Sequence, residues 1–144
     1  MWNFAKYADN VAVIDDKGQQ TTYAELEGCG NALVKNVSSR CLVFCLCENT
    51  LGSLVGYTAF LNNHVVPLML DAHLDKELLN QFITEYQPDY IWLPTAQKEE
   101  VSGKAVFSEC DYTLVKTEYN HVYPLYPIPE ADEAFDRICG ILRQ

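Results

Sequence analysis

Positive charge is scarce in this chain. Ten Lys and Arg stand against 20 Asp and Glu, a formal net charge of −10. That field repels nucleic acid and anionic membrane surfaces, so neither is an expected partner. A solvated acidic surface is enough to account for it. Long apolar runs are also missing: no segment approaches the roughly 18 apolar residues needed to span a bilayer. The first ten residues contain Lys6 and Asp9 and no apolar core, so they do not read as a secretory signal. There is no internal repeat and no low-complexity stretch. Histidines number only three, at 64, 73 and 121, far apart in sequence and without evident partners. Six cysteines stand at 29, 41, 45, 47, 110 and 139, with no Cys-x-x-Cys pair. Cys41, Cys45 and Cys47 share one strand parity, so they are expected to be small core groups, reduced, in a cytoplasmic protein. No Gly-Lys-Ser/Thr follows any of the glycines at 28, 30, 52 and 56, which excludes a P-loop and leaves helix packing.

What remains is an ordinary globular composition, 49% hydrophobic and 21% charged over 144 residues. A chain of that size can bury roughly 68–70% of its unfolded surface. Val11 to Ile14, the turn Asp15-Asp16-Lys17-Gly18 and Gln19 to Thr22 predict a small hairpin. Thr22-x-x-Glu25 is a capping box that opens a helix, with Leu26, Cys29, Leu33 and Val37 on its inner face. Cys41 to Cys47 is a continuous apolar run, the pattern of a strand covered on both sides. Asn49 or Thr50 caps the next helix, which carries no charge through Asn63 and is therefore expected to be covered on most sides. Asn63 is its expected left-handed stop. Val65 to Leu70 and Tyr90 to Leu93 are further buried strands. Between them Leu74, Leu78, Leu79, Phe82, Ile83 and Tyr86 mark an amphipathic helix capped by Asp75 and stopped by Pro88. Lys104 to Phe107 and Tyr112 to Lys116 add two strands. The alternation predicts an α/β fold: an N-terminal β-hairpin plus an open, mostly parallel sheet with helices on both faces.

In that order and spacing, Val11-Ala-Val-Ile-Asp-Asp-Lys-Gly18, Thr22-Tyr-Ala-Glu-Leu26, the strand ending Cys47-Glu48-Asn49, the uncharged helix and Val65-Val-Pro-Leu-Met-Leu-Asp71 resemble the N-terminal region of adenylate-forming (AMP-dependent) synthetases and ligases, acyl-CoA synthetases among them. The resemblance runs from about Val11 to Pro127. It implies a parent that activates a carboxylic acid with ATP and Mg²⁺ and passes the acyl group to a thiol. The family's Ser/Thr/Gly-rich phosphate loop ending in Pro-Lys is absent from these 144 residues. Its adenine contacts and mobile C-terminal lysine lie downstream in the family. The resemblance therefore assigns no catalytic, cofactor-binding or metal-binding residue to this chain. Asn63-His64 stands where the family usually has Gly-Ala. After Pro127 the likeness ends, which divides the chain into 1–127, an N-terminal subdomain, and 128–144, a divergent tail expected to be helical.

The expectation that follows is a truncated or isolated N-terminal part of an AMP-forming carboxylate ligase, inactive alone. Its partner would be the rest of the parent enzyme, or a second copy held through the apolar helix. The alternative is a non-enzymatic interaction module of α/β fold using helix 50–63 or the proline-rich tail, Pro124-Leu-Tyr-Pro127. A free-standing nucleotide binder of flavodoxin-like shape ranks third. Asp15-Asp16 and Glu99-Glu100 have the residue types of acid–base pairs, but neighbours in turns are ordinarily solvated.

Overall fold

The computed structural model describes residues 2–119. The proline-rich stretch, the expected tail helix, His121 and Cys139 lie outside the described residues. A short 3-10 turn at Phe4–Tyr7 precedes β1 (Val11–Ile14) and β2 (Gln20–Thr22), which pair antiparallel. Asp15 closes the connection by accepting amide hydrogens from Lys17 and Gln19 at 2.9 and 2.7 Å. Gly18 supplies the left-handed position there, φ +79°. Next comes α1 (Tyr23–Val34), with the capping box formed in both directions. The Glu25 amide donates to Thr22 Oγ1 at 3.2 Å, and the Thr22 amide donates to the Glu25 carboxylate at 2.7 Å.

The remaining elements build one sheet. They are β3 (Leu42–Cys47), α2 (Leu51–Asn62), β4 (Val66–Asp71), α3 (Lys76–Tyr86), β5 (Tyr90–Pro94), a 3-10 segment Thr95–Glu100, β6 (Lys104–Glu109) and β7 (Tyr112–Lys116). Spatial order is β4-β3-β5-β7-β6. Strand β3 runs parallel to both β4 and β5, as the strand–helix alternation predicted. The sheet is mixed rather than parallel throughout, because β7 pairs antiparallel with β5 and β6. A two-residue connection, Cys110 and Asp111, can join only antiparallel neighbours.

Helices do cover both faces. Val43, Cys45, Tyr90, Trp92, Tyr112 and Leu114 point toward α1 and α2. Phe44, Leu46, Ile91, Leu93 and Val115 point toward α3. The uncharged α2 is the innermost helix, and only Tyr57 among its residues is exposed. Its two glycines explain how it sits so deep. A side chain at Gly52 would overlap the Tyr112 ring, and one at Gly56 would come within 2.5 Å of Trp92. Gly30 of α1 faces Ala59 of α2, where a Cβ would stand 3.1 Å from its neighbour. Gly28, by contrast, faces open space.

One expected boundary shifts, and one holds. The left-handed residue after α2 is His64 (φ +58°), one position beyond Asn63. Asn63 instead donates its side-chain amide to the Ala59 carbonyl at 2.8 Å. At the end of α3 the left-handed cap is Gln87 (φ +47°), immediately before Pro88, while Asp75 caps the start as expected.

Candidate functional site

Ligands of open α/β sheets bind at the carboxyl ends of strands whose outgoing connections leave to opposite faces. In this sheet that place is defined by β3 and β4. The chain leaving β3 enters α2 on one face, and the chain leaving β4 enters α3 on the other. The side chains there are Glu48, just past β3, Asp71 at the end of β4, and His73. The His73 amide donates to Asp71 Oδ1 at 2.8 Å. Its ring lies 3.4 Å from Asp71 and 3.9 Å from Glu48. His73 therefore has two carboxylate neighbours, contrary to the sequence reading that left it without partners.

The signal was available for Asp71, two residues upstream; Glu48 is brought in only by parallel pairing of β3 with β4. Both contacts sit in solvent, with His73 75% and Asp71 70% exposed, and screening leaves such pairs weak. Beneath them the floor is rigid. The Glu48 amide donates to Ser53 Oγ at 2.9 Å and to the Tyr112 hydroxyl at 3.0 Å, and those two oxygens lie 2.6 Å apart.

Chemically this crevice is a poor home for a triphosphate. Its ionisable side chains are two acids and one histidine, with no Lys or Arg among the described residues named at it, and the sequence supplies no phosphate loop. Mg²⁺-ATP would meet repulsion here rather than the amides and cation that phosphoryl chemistry requires.

The two candidate acid pairs are not brought together with anything reactive. Asp15 is occupied by turn amides, Glu99 pairs with Lys98 at 3.0 Å, and Glu100 lies 3.7 Å from Lys76.

The cysteines divide into two groups. Cys41 and Cys45 are buried beneath α1 and α2, as their shared parity predicted, and Cys47 packs against the same core. Burial pushes the Cys41 thiol up to about 12, helped by nearby Asp89, and drives Cys45 well above its ordinary value. Such thiols stay protonated and inert. Cys29 and Cys110 form the second group, separated by 81 positions yet with sulfurs 3.7 Å apart. Glu109 Oε1 lies 3.9 Å from the Cys29 sulfur. Burial first, then Cys29 and the acids at 109 and 111, pushes the Cys110 thiol up to about 12. Sequence spacing could not reveal this pairing, because it depends on α1 packing against the end of the β6–β7 hairpin.

No family model matches the chain, and no curated protein does. Solved structures do. Apo MatB from Rhodopseudomonas palustris is 24% identical with a TM-score of 0.55, over 64% of this chain and 19% of that one. A benzoate CoA ligase from Burkholderia xenovorans LB400 is 23% identical with a TM-score of 0.59, over 70% of this chain and 23% of its own. ATP-bound MatB gives 24% and 0.55, over 67% and 22%. The chain thus spans about a fifth of the length of each. The described fold of this chain is thus similar to part of the fold of these enzymes.

Proposed function

We propose that this chain is the N-terminal portion of an ATP-dependent, AMP-forming carboxylate ligase, a wall of the pocket that does not catalyse alone. The observation that carries the reading is the fold, shared with about a fifth of MatB and of a benzoate CoA ligase, and the acidic crevice at Glu48, Asp71 and His73 supports the lack of catalysis by this chain alone. A wall of this kind needs a firm sheet and buried helices, and the mixed five-stranded sheet with its enclosed α2 supplies both. It does not need the phosphate grip, which is missing. ATP and Mg²⁺ belong to the completed enzyme, where an acid would attack the α-phosphorus and release pyrophosphate. No residue here takes a catalytic, nucleotide-binding or Mg²⁺-binding role in that reaction.

The surfaces left for the rest of such an enzyme are apolar and unpaired. Edge strand β4 exposes Val66 and Met69, and α3 exposes Leu78 and Tyr86. No described helix is long and apolar enough to cross a membrane. Together with the free thiols, this favours a cytoplasmic location.

The test of descent is the transcript beyond Gln144, read in all three frames. A Ser/Thr/Gly-rich peptide ending in Pro-Lys is expected in one of them. Its absence from every frame would remove the ligase reading.

The second reading, an interaction module, draws on the exposed ring pair Trp2 and Tyr57, whose centroids lie 5.5 Å apart. Between Leu51 and Asn62 the helix offers no other exposed residue for it. Light scattering that gives a monomer at every concentration, for the wild type and for Tyr57→Glu alike, would exclude self-association by this route.

A further inference from the structure

We propose that Cys29, Glu109 and Cys110 form a binding site for a zinc-class divalent cation, bridging α1 to the β6–β7 hairpin. The inference is independent of the ligase reading, since no nucleotide or acyl group enters it.

Three ligand atoms, the two sulfurs and one carboxylate oxygen, all lie within 4.8 Å of one another. The separations select the chemistry. A disulfide needs its sulfurs about 2.05 Å apart, and these stand at 3.7 Å. In a tetrahedral site with metal–sulfur bonds of about 2.3 Å, two thiolates are about 3.8 Å apart. With a metal–oxygen bond of about 2.0–2.2 Å, the sulfur–oxygen edge is about 3.5–3.7 Å. The observed 3.7 and 3.9 Å lie within a few tenths of an ångström of those edges. A cation therefore fits between the donors with little movement.

The donor set is equally selective. Two thiolates favour zinc-like ions over Mg²⁺ or Ca²⁺, which take oxygen ligands. Both sulfurs are half-buried, and Glu109 stands at the exposed rim, leaving the fourth position to water or an exogenous ligand.

The backbone at this corner is unusual as well. Cys110 (φ +51°) and Asp111 (φ +61°) occupy both central positions of a two-residue hairpin turn, where Asn-Gly is the favoured pair. A thiol is held there in a left-handed conformation that cysteine seldom adopts, facing the only described cysteine of α1.

Binding exchanges two thiol protons for one divalent ion. Two S–H bonds break, two metal–sulfur bonds form, the protons pass to solvent, and no electron moves. The ion would then tie together residues 81 positions apart.

The test titrates the full-length, reduced, metal-free chain with Co²⁺ as a spectroscopic probe, then displaces it with Zn²⁺. One equivalent of Co²⁺ is expected, with sulfur-to-metal charge transfer and the strong visible bands of tetrahedral coordination. Cys29→Ser and Cys110→Ser should abolish those bands, and Cys47→Ala should keep them. Glu109→Gln should weaken binding at least about tenfold, the scale of losing even an outer-sphere partner. Zinc at a hundredfold excess over Kd should raise the thermal midpoint by roughly 10 °C.

Because the variants can fail to fold, alkylation of the wild type gives a second measurement. Zinc should protect Cys29 and Cys110 while leaving the rate at Cys47 unchanged. No cobalt bands in the reduced wild type, bands that survive both serine variants, or equal alkylation with and without zinc would each overturn the site. So would a Cys29–Cys110 disulfide whose reduction yields no zinc binding.

Discussion

Replacing Gly56 with alanine tests how α2 reaches the centre of the fold. On helix propensity alone the change should stabilise by about 1 kcal/mol, since glycine is the poorer helix former. The packing says the opposite. The added Cβ would stand 2.5 Å from Trp92 Cδ1 and 2.6 Å from its Nε1. That indole is wholly buried and donates its N–H to the Gly52 carbonyl at 2.9 Å, so it cannot swing away without losing the bond. Overpacking of this sort costs about 1–3 kcal/mol, and orphaning a buried donor about 1–3 more. Net of the propensity gain, Gly56→Ala should destabilise by about 1–5 kcal/mol, a fall in Tm of roughly 3–17 °C. Gly28→Ala is the internal control, because nothing lies within 4 Å of the new methyl group. It should stabilise by about 0.5–1 kcal/mol. Urea titration of both variants, followed by tryptophan fluorescence and far-UV circular dichroism, reads the two signs side by side. A Gly56→Ala chain as stable as the wild type would refute the close approach of α2 to Trp92.

Asp75→Ala removes a side chain that accepts from the Glu77 and Leu78 amides at 2.9 and 3.2 Å, and should cost about 1 kcal/mol by urea denaturation. Tyr112→Phe deletes the hydroxyl that joins Ser53 to the Glu48 amide, and should cost about 1–2 kcal/mol while leaving the circular dichroism spectrum unchanged. Glu25 responds to pH. Hydrogen bonds from the Thr22 amide and then its hydroxyl hold the Glu25 carboxyl below its ordinary value of 4.5. Its contribution is present above that value in the folded chain and is lost as pH falls through the depressed one. The stability gap between wild type and Glu25→Gln should therefore be widest above pH 4.5 and close in acid, measured as urea midpoints across pH.

Local chemistry was the most legible part of the sequence. The Thr22–Glu25 capping box, the Asp75 cap and the Asp15 turn are each set by residues within four positions, and all three form as read. Period-two and uninterrupted apolar runs gave the strands, and the absence of charge in α2 correctly marked it as enclosed. What the sequence concealed was long-range placement. The antiparallel return of β7 onto β5 turns a sheet read as mostly parallel into a mixed one, because strand direction is not written in apolar runs. The Glu48–His73 neighbourhood needed the β3–β4 register, and the Cys29–Cys110 pair needed helix-on-hairpin packing. The shift of the left-handed stop from Asn63 to His64 has a smaller cause. Asn63 spends its side chain on the Ala59 carbonyl, so the next residue makes the turn.

On the proposed reading, these residues wall a nucleotide pocket without gripping the triphosphate. Carboxylate-dependent exchange of labelled pyrophosphate into ATP, measured with the purified chain, Mg²⁺ and a panel of aliphatic and aromatic acids, tests it most directly. No exchange above the protein-free blank is expected for any acid. Acid-dependent exchange that rises in proportion to the amount of this chain would contradict it.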